Sequence, residues 1–277
     1  MSVQLTVLCE NSVTSPTGLI GEHGFACHLR TEQGNFLFDT GSGLGLENNA
    51  RLLGIDLRQL TGVILSHGHA DHSGGLTQLL RHSGPIDVYA HPDIFKPRLS
   101  CSAAEERQIG LPHTRTELEA LGARFHLSRS PQQLAPGLIL SGEIPRRTDF
   151  ESGDPNLCCR SPQGVLHSDP IDDDLSLFVQ TDRGLSVLLG CAHAGLINIL
   201  DQAQALLSPD NIHCVAGGTH LMFADDARLR QTLHYLDRYQ IDRFGAAHCT
   251  GLQQATRLAA HFQDRFFFAA AGTRITV

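Results

Sequence analysis

The segment 66–75 constrains this chain more than any other part of its sequence. It reads Ser-His-Gly-His-Ala-Asp-His-Ser-Gly-Gly, so six consecutive positions hold three imidazoles and one carboxylate: His67, His69, Asp71 and His72. The apolar run 62–65 precedes the segment, and the run 76–80 after it has the composition of a helix. The sequence therefore predicts a tight loop between a buried strand and a helix, with side chains aimed at two neighbouring points.

Imidazole and carboxylate groups are ligands that Zn²⁺ and its neighbours in the first transition row accept. A histidine-rich surface turn is the simpler explanation, but this spacing directly after an apolar strand rarely arises by chance. Two further histidines, His193 and His248, each follow an apolar run and lie close to glycine. We therefore expect a metal centre whose ligands come from several strand ends.

The composition argues against several other classes of protein. A length of 277 residues with 41% hydrophobic content allows one large α/β domain or two small ones. The formal net charge is −8 and no basic run is visible, which argues against nucleic acid as the main partner. No stretch approaches the ~20 apolar residues of a membrane span, and the N-terminus lacks the basic segment of a signal peptide. We expect a cytoplasmic protein whose eight cysteines are free thiols.

The order of predicted elements indicates the fold class. Strand patterns dominate the first part of the chain, and strands alternate with helices in the second part. A four-layer αββα sandwich of the α/β (α+β) class accommodates this order. We expect a single domain over residues 1–277, with a long insertion or loop region at about 93–174 that is rich in Pro, Gly, Asp and Arg toward its end.

The decapeptide resembles the signature of the metallo-β-lactamase fold superfamily, and Phe38-Asp39-Thr40-Gly41 fits the early aspartate-glycine element of that superfamily. Four further segments resemble one branch of it: 22–25, 142–146, 190–195 and 248–251. That branch is named after the synthase of 7,8-dihydropterin-6-ylmethyl-4-(β-D-ribofuranosyl)aminobenzene 5′-phosphate. The resemblance spans nearly the whole chain and implies the metallo-β-lactamase fold, but most bearers of the branch motifs have other substrates.

The resemblance also implies a dinuclear site with two divalent metal ions, Zn²⁺ in preference to Mn²⁺ or Fe²⁺. One ion would be held by His67, His69 and His193, and the other by Asp71, His72 and His248. Asp39 would orient the histidine loop from behind the ligands and fix a tautomer.

The chain departs from the superfamily pattern at one ligand. Many members place a bridging aspartate where this sequence reads Leu-Gly-Cys at 189–191. Cys191 is one candidate for the missing ligand, and His193 two residues later is another. A third option is that Asp172, Asp173 or Asp174 fills the place that the superfamily usually gives to a histidine, and the sequence leaves these alternatives open.

Residues for substrate binding are harder to select. Arg146 and Glu143 lie in the long loop, where a basic group in an acidic protein suits a phosphate or carboxylate, although a solvated loop explains them equally well. His23 and His220 lie in turn-like contexts from which either side chain could line a pocket. We retain all four as candidate substrate-binding residues.

These residues together predict a metal-dependent hydrolase of a small, phosphorylated or heterocyclic molecule. A metal-activated water attacks the substrate, with Asp71 as the catalytic proton acceptor. A synthase-like transferase that releases pyrophosphate is one alternative, and a non-catalytic metal-binding or redox module is another. A small-molecule substrate is the expected partner, no nucleic acid or membrane partner is expected, and a homo-oligomer is compatible with the sequence.

Overall fold

The computed structural model describes residues 2–14, 18–101, 105–161 and 163–277. Its strands are β1 (Gln4–Cys9), β2 (Ala26–Thr31), β3 (Gly34–Phe38), β4 (Leu60–Ile64), β5 (Ile86–Ala90), β6 (Arg98–Cys101), β7 (Glu106–Gln108), β8 (Ala123–Leu127), β9 (Gln132–Ala135), β10 (Leu138–Leu140), β11 (Leu157–Arg160), β12 (Leu166–Ser168), β13 (Ser176–Thr181), β14 (Gly184–Leu189), β15 (Ile212–Gly218), β16 (Ile241–Ala247), β17 (Phe266–Phe268) and β18 (Arg274–Thr276). Its α-helices are α1 (Leu46–Leu52), α2 (Ala70–Ser73), α3 (Leu76–Ser83), α4 (Arg115–Ala120), α5 (Leu196–Leu207), α6 (Asp226–Leu236) and α7 (Leu252–Phe262). Short 3₁₀ turns lie at Leu57–Gln59, Pro92–Phe95, Leu221–Phe223, His248–Thr250 and Gln263–Arg265.

Two sheets of seven strands each are formed by the described residues. The first has the order β18-β1-β2-β3-β4-β5-β8, and the second has the order β17-β16-β15-β14-β13-β10-β9. β3, β4, β5 and β8 run parallel, as do β14, β15, β16 and β17. Strands covered on both faces are continuously apolar, as β4 is at Val63 and Ile64.

Helices cover the outer face of each sheet. Phe38 of the first sheet and Leu188 of the second belong to one apolar core, which lies between the sheets. α1 and α3 bury Leu46 and Leu79 against the first sheet. α5, α6 and α7 bury residues such as Ile197 against the second sheet. The layers are therefore helix, sheet, sheet and helix, which confirms the predicted αββα fold.

The region 93–174 contains more regular structure than the predicted insertion or loop. β8 extends the first large sheet, β9 and β10 extend the second, and a small four-stranded sheet has the order β12-β11-β6-β7. The sequence pattern gives no signal for β11 and β12, because strands of three or four residues within Pro- and Gly-rich sequence show little alternation. At the start of β6, buried Arg98 forms ion pairs with Asp169 and Asp173, which fasten this sheet to the main body.

Two further observations concern expectations from composition. The eight cysteines all lie in described segments, and none forms a disulfide. Among the helices of the described segments, none is long and apolar enough to cross a bilayer.

The fold also predicts a dependence of stability on pH at His28 of β2. Burial, helped by the charge of Arg30, lowers the pKa of His28 from 6.5 to about 4. Below pH 6.5, His28 of the unfolded chain binds a proton, whereas His28 of the folded chain stays neutral until the pH falls to about 4. We expect the free energy of unfolding to fall as the pH drops through this window, and His28→Gln to reduce that fall. Urea titrations at several pH values measure it, with half-buried His113→Gln as the control. Equal pH slopes in His28→Gln and the unmodified chain would contradict it.

Candidate metal centre

The topology brings several strand ends to one edge of the two sheets. β4 ends at the loop that carries the decapeptide, β14 ends before the segment 190–193, and β16 ends just before His248. Asp39 follows β3, which runs parallel to β4. Because the carboxyl ends of parallel strands meet at one sheet edge, residues distant in sequence become neighbours there.

The first donor set consists of His67, His69 and His193. Nε2 of His67 lies 3.0 Å from Nδ1 of His69, and a ring nitrogen of each of the three residues lies within 4.8 Å of the others. Burial lowers the pKa of His69 to about 3 and holds the pKa values of His67 and His193 well below the ordinary value. The three imidazoles are therefore neutral, which is the form that binds a metal ion.

The second donor set consists of Asp71, His72 and His248. Nε2 of His72 and Nε2 of His248 lie 3.2 Å apart, and Oδ2 of Asp71 lies 3.2 Å from His248 and 4.0 Å from His72. Ligand atoms around a tetrahedral Zn²⁺ are about 3.3 Å apart, given metal–nitrogen bonds of about 2.0–2.1 Å. The two distances to His248 match this spacing, and the distance between Asp71 and His72 is longer, so the set fits a metal ion after a small adjustment of Asp71.

Oxygen atoms behind the histidines fix the direction in which each ring points. Oδ2 of Asp39 lies 2.7 Å from Nδ1 of His72, and Oδ1 of Asn11 lies 2.9 Å from Nδ1 of His248. Since Nδ1 of each ring donates to oxygen, the two Nε2 atoms face each other as acceptors and require a cation between them, a proton or a metal ion. The arrangement of donors therefore fits divalent metal ions.

The charges of the second set follow from its buried carboxylates. Burial lowers the pKa of His72, but the charges of Asp39 and Asp71 and the hydrogen bond with Asp39 together outweigh burial and raise that pKa to about 9. Burial raises the pKa of Asp71, but the charge of His72 and hydrogen bonds from neighbouring imidazoles hold it well below its usual range. Without metal, a proton on His72 supplies the positive charge that this set requires.

Cys191 lies between the two donor sets. Its Sγ is 3.1 Å from Nε2 of His72, and it lies within 4.8 Å of donor atoms of His67, His193 and His248. Burial raises the pKa of the Cys191 thiol well above its ordinary value. The sulfur of Cys249 accepts a hydrogen bond from the backbone N–H of His220 at 3.2 Å, and it lies within 4.8 Å of donor atoms of Cys191 and His248. Of the predicted alternatives for the missing ligand, Cys191 and His193 lie among the donors.

The other predicted residues are placed differently. Asp173 binds Arg98 through both carboxylate oxygens and accepts a hydrogen bond from the backbone of Gly68, so it supports the histidine loop from behind. Glu143 pairs with His91 and Arg129. Arg146 donates to the backbone carbonyls of residues 170 and 193, which holds His193 in place. None of Asp173, Glu143 and Arg146 is among the residues that line the pocket described next.

A pocket of about 820 Å³ lies above both donor sets. His23 lies at its mouth, exposed, with Nε2 3.2 Å from the carboxylate of Asp71. His220 is buried and neither ring nitrogen has a hydrogen-bond partner, although Nε2 lies 3.8 Å from the carboxylate of Asp154. The structure therefore brings both predicted substrate-binding histidines to the pocket.

Several residues of the site were not selected from the sequence. The pocket lining includes Cys249, Asp154, Arg107 and Phe223. Cys249 follows His248 directly, so the sequence could have indicated that Cys249 lies at the site. Asp154, Arg107 and Phe223 lie in segments with no motif, and only the packing of the chain brings them to the pocket.

Backbone strain is concentrated at this site. Asp39, Ala192, His220 and His248 have φ values of 59°, 56°, 51° and 48°, a left-handed region that residues other than glycine seldom adopt. Such conformations persist where the surrounding structure determines them and are typical of functional sites.

A family model described as the Metallo-beta-lactamase superfamily matches residues 25–196. The chain therefore belongs to the metallo-beta-lactamase superfamily, as the decapeptide indicated. It is 28% identical over 98% of its length to 7,8-dihydropterin-6-methyl-4-(beta-D-ribofuranosyl)-aminobenzene-5'-phosphate synthase of Methanocaldococcus jannaschii, of which it covers 95%. This relative confirms the similarity to the synthase branch.

Solved structures agree with this assignment. The crystal structure of Tm1679, described as a metal-dependent hydrolase of the beta-lactamase superfamily, matches with a TM-score of 0.84 and 26% identity over 99% of both chains. A diphosphatase from the PhnP family matches with a TM-score of 0.55 and 11% identity over 100% of this chain and 98% of the other, which shows the shared fold alone.

The geometry predicts that Asp39 controls metal affinity through His72. Asp39→Asn keeps the size of the side chain but removes the charge that holds the proton on Nδ1 of His72. We expect the affinity of the second set for Zn²⁺ to fall about 10- to 100-fold, as for other residues that orient ligands. Competition with a fluorescent chelator measures it, with half-buried Asp56→Asn as the control. Unchanged affinity in Asp39→Asn would show that the carboxylate does not orient the ligand.

Proposed function

We propose that this protein is a metal-dependent hydrolase that binds two divalent metal ions and acts on a small molecule. The observation that carries the proposal is that both donor sets lie at one pocket of about 820 Å³, a volume suited to a small-molecule ligand. His67, His69 and His193 would hold one ion, and Asp71, His72 and His248 the other. Zn²⁺ suits these donors best, with Mn²⁺ and Fe²⁺ as alternatives.

Bound metal ions would supply Lewis acidity and lower the pKa of water in the pocket. Among the donors, Asp71 has the most exposed side chain, at 22%, and its carboxylate is ionised. Its Oδ2 is therefore placed to accept a proton from an attacking water. His23, exposed and 3.2 Å away, gives that proton a route to solvent.

A synthase-like transferase is the second candidate function. The 28% identity to a named synthase over nearly the whole chain supports it, and release of pyrophosphate would use the same ligands. A non-catalytic metal-binding or redox module is a third reading, and the large pocket above the donors disfavours it. We also propose that the protein is cytoplasmic and acts on a small molecule, with no nucleic-acid or membrane partner. A homo-oligomer is compatible with the sequence.

Loss of one ligand should remove metal and activity together. We expect His69→Ala or Asp71→Ala to bind at least one equivalent less of metal and to lose turnover, while circular dichroism shows the fold retained. Elemental analysis and assays on a phosphodiester, a lactone and a thioester measure this, and exposed His82→Ala serves as the control. Turnover that persists in a metal-depleted variant would contradict the proposed mechanism, and no turnover by the metal-loaded unmodified protein on any substrate would favour the non-catalytic module.

The position of Cys191 predicts a spectroscopic signature. If its thiolate ligates metal, the Co²⁺-loaded protein has a thiolate-to-cobalt charge-transfer band in the near ultraviolet. We expect Cys191→Ser to lose this band and Cys249→Ser, the matched neighbour, to keep it. A band of full intensity in Cys191→Ser would show that Cys191 is only a small buried residue beside the ligands.

A further inference from the structure

Two cysteines meet beside the second donor set. Cys191 follows β14, and Cys249 lies in the 3₁₀ turn that follows β16. Their Sγ atoms lie within 4.8 Å of each other, and the Cys249 thiol donates to the backbone carbonyl of Cys191 at 3.5 Å. Both residues are buried, but both line the pocket of about 820 Å³. A small reagent that enters the pocket can therefore reach both sulfurs.

A glycine on the intervening strand lets the two cysteines approach each other. β15 lies between β14 and β16 in the second sheet, and it ends at Gly218. A Cβ atom at Gly218 would lie 2.7 Å from Sγ of Cys249 and 3.4 Å from Cα of Cys191. A side chain at this position would therefore fill the space between the two cysteines. The backbone N–H of His220 donates to Sγ of Cys249 at 3.2 Å and holds that sulfur beside this space.

The same two sulfurs lie next to the ligands of the second set. Sγ of Cys191 is 3.1 Å from Nε2 of His72, and a ring nitrogen of His248 lies within 4.8 Å of both sulfurs. A cysteine binds metal as a thiolate, and a sulfur that is bonded to another sulfur has lost that negative charge. Metal binding by Cys191 and a bond between Cys191 and Cys249 therefore exclude each other.

We propose that Cys191 and Cys249 form a disulfide when the metal-free protein meets hydrogen peroxide, and that this bond controls metal binding. Rotation of the two side chains brings the sulfurs to the bonding distance of about 2.05 Å. The formation of this disulfide is independent of the proposed function, whereas its effect on metal rests on that function.

The chemistry of this step is balanced by one peroxide molecule. One sulfur attacks the O–O bond, becomes a sulfenic acid and releases water. The second thiol attacks this sulfenic sulfur, forms the disulfide and releases a second water. Two thiols are thereby oxidised, one peroxide is reduced, and the two thiol protons leave in the two water molecules. A dithiol reductant reverses the reaction by thiol–disulfide exchange.

Disulfide mapping of the metal-free protein tests the proposal. We expect peroxide to join the peptides that contain Cys191 and Cys249, as measured by alkylation under denaturing conditions and mass spectrometry. Dithiothreitol should separate them again. Cys191→Ser and Cys249→Ser should each abolish this bond, whereas Cys101→Ser, which removes another cysteine of the pocket lining, should leave it unchanged.

Zinc binding gives a second measurement. Zn²⁺ added before the peroxide should suppress the disulfide, because the metal ion holds the Cys191 thiolate. At a Zn²⁺ concentration that just saturates the reduced protein, we expect the oxidised protein to bind about one equivalent less. Dithiothreitol should restore that equivalent, and elemental analysis after gel filtration measures it.

The results that overturn the proposal are distinct from those that overturn the proposed function. A peroxide-induced bond between other cysteines, or oxidation of Cys191 without a bond to Cys249, would overturn the redox pair. Equal Zn²⁺ binding by the reduced and oxidised proteins would overturn its control of metal binding. Absence of Zn²⁺ binding by the reduced protein would instead defeat the proposed function, and the disulfide map would then support or overturn the redox pair by itself.

Discussion

The buried carboxylate of Asp39 is the interaction on which the rest of the site depends. It is fully buried, accepts hydrogen bonds from the backbone N–H and the hydroxyl of Ser66 at 2.7 Å each, and holds Nδ1 of His72 at 2.7 Å. It therefore joins the end of β3 to the end of β4 and sets the orientation of one ligand in the same contact. A buried charge is costly unless its hydrogen bonds are satisfied, and here the satisfying groups belong to the histidine loop itself.

The metal centre combines donors from both sheets, and this explains its unusual electrostatics. Imidazoles of the first set come from β4 and β14, and burial suppresses their protonation. The second set includes His248 after β16 and keeps a positive charge on His72 through Asp39. Cys191 stands between the sets, where many members of the superfamily have aspartate. A soft sulfur at this position would change which metal ions the site prefers, because thiolates favour zinc and other thiophilic metals over magnesium or calcium.

The region 93–174 builds the pocket rather than the metal centre. Its small sheet is held to the main body by the buried ion pairs of Arg98, and Ile109, the residue after β7, contacts the histidine loop. Arg107 therefore lies in a wall of the pocket, and residues of the decapeptide line the floor. The two donor sets and this wall of the pocket thus come from different parts of the chain.

The sequence by itself determined the fold class and the residues with metal-binding chemistry, because an apolar strand followed by closely spaced histidines is a local pattern. It also indicated Asp39 and the strand ends before His193 and His248. Only the tertiary structure decided that Asp173 pairs with Arg98, that Glu143 and Arg146 lie away from the pocket, and that Cys191 lies between the donor sets. The short strands β11 and β12 and the pocket residues Arg107, Asp154 and Phe223 were likewise hidden from the sequence. The physical reason is that a ligand motif acts through neighbours a few positions apart, whereas an ion pair or a pocket wall depends on contacts between residues far apart in the chain.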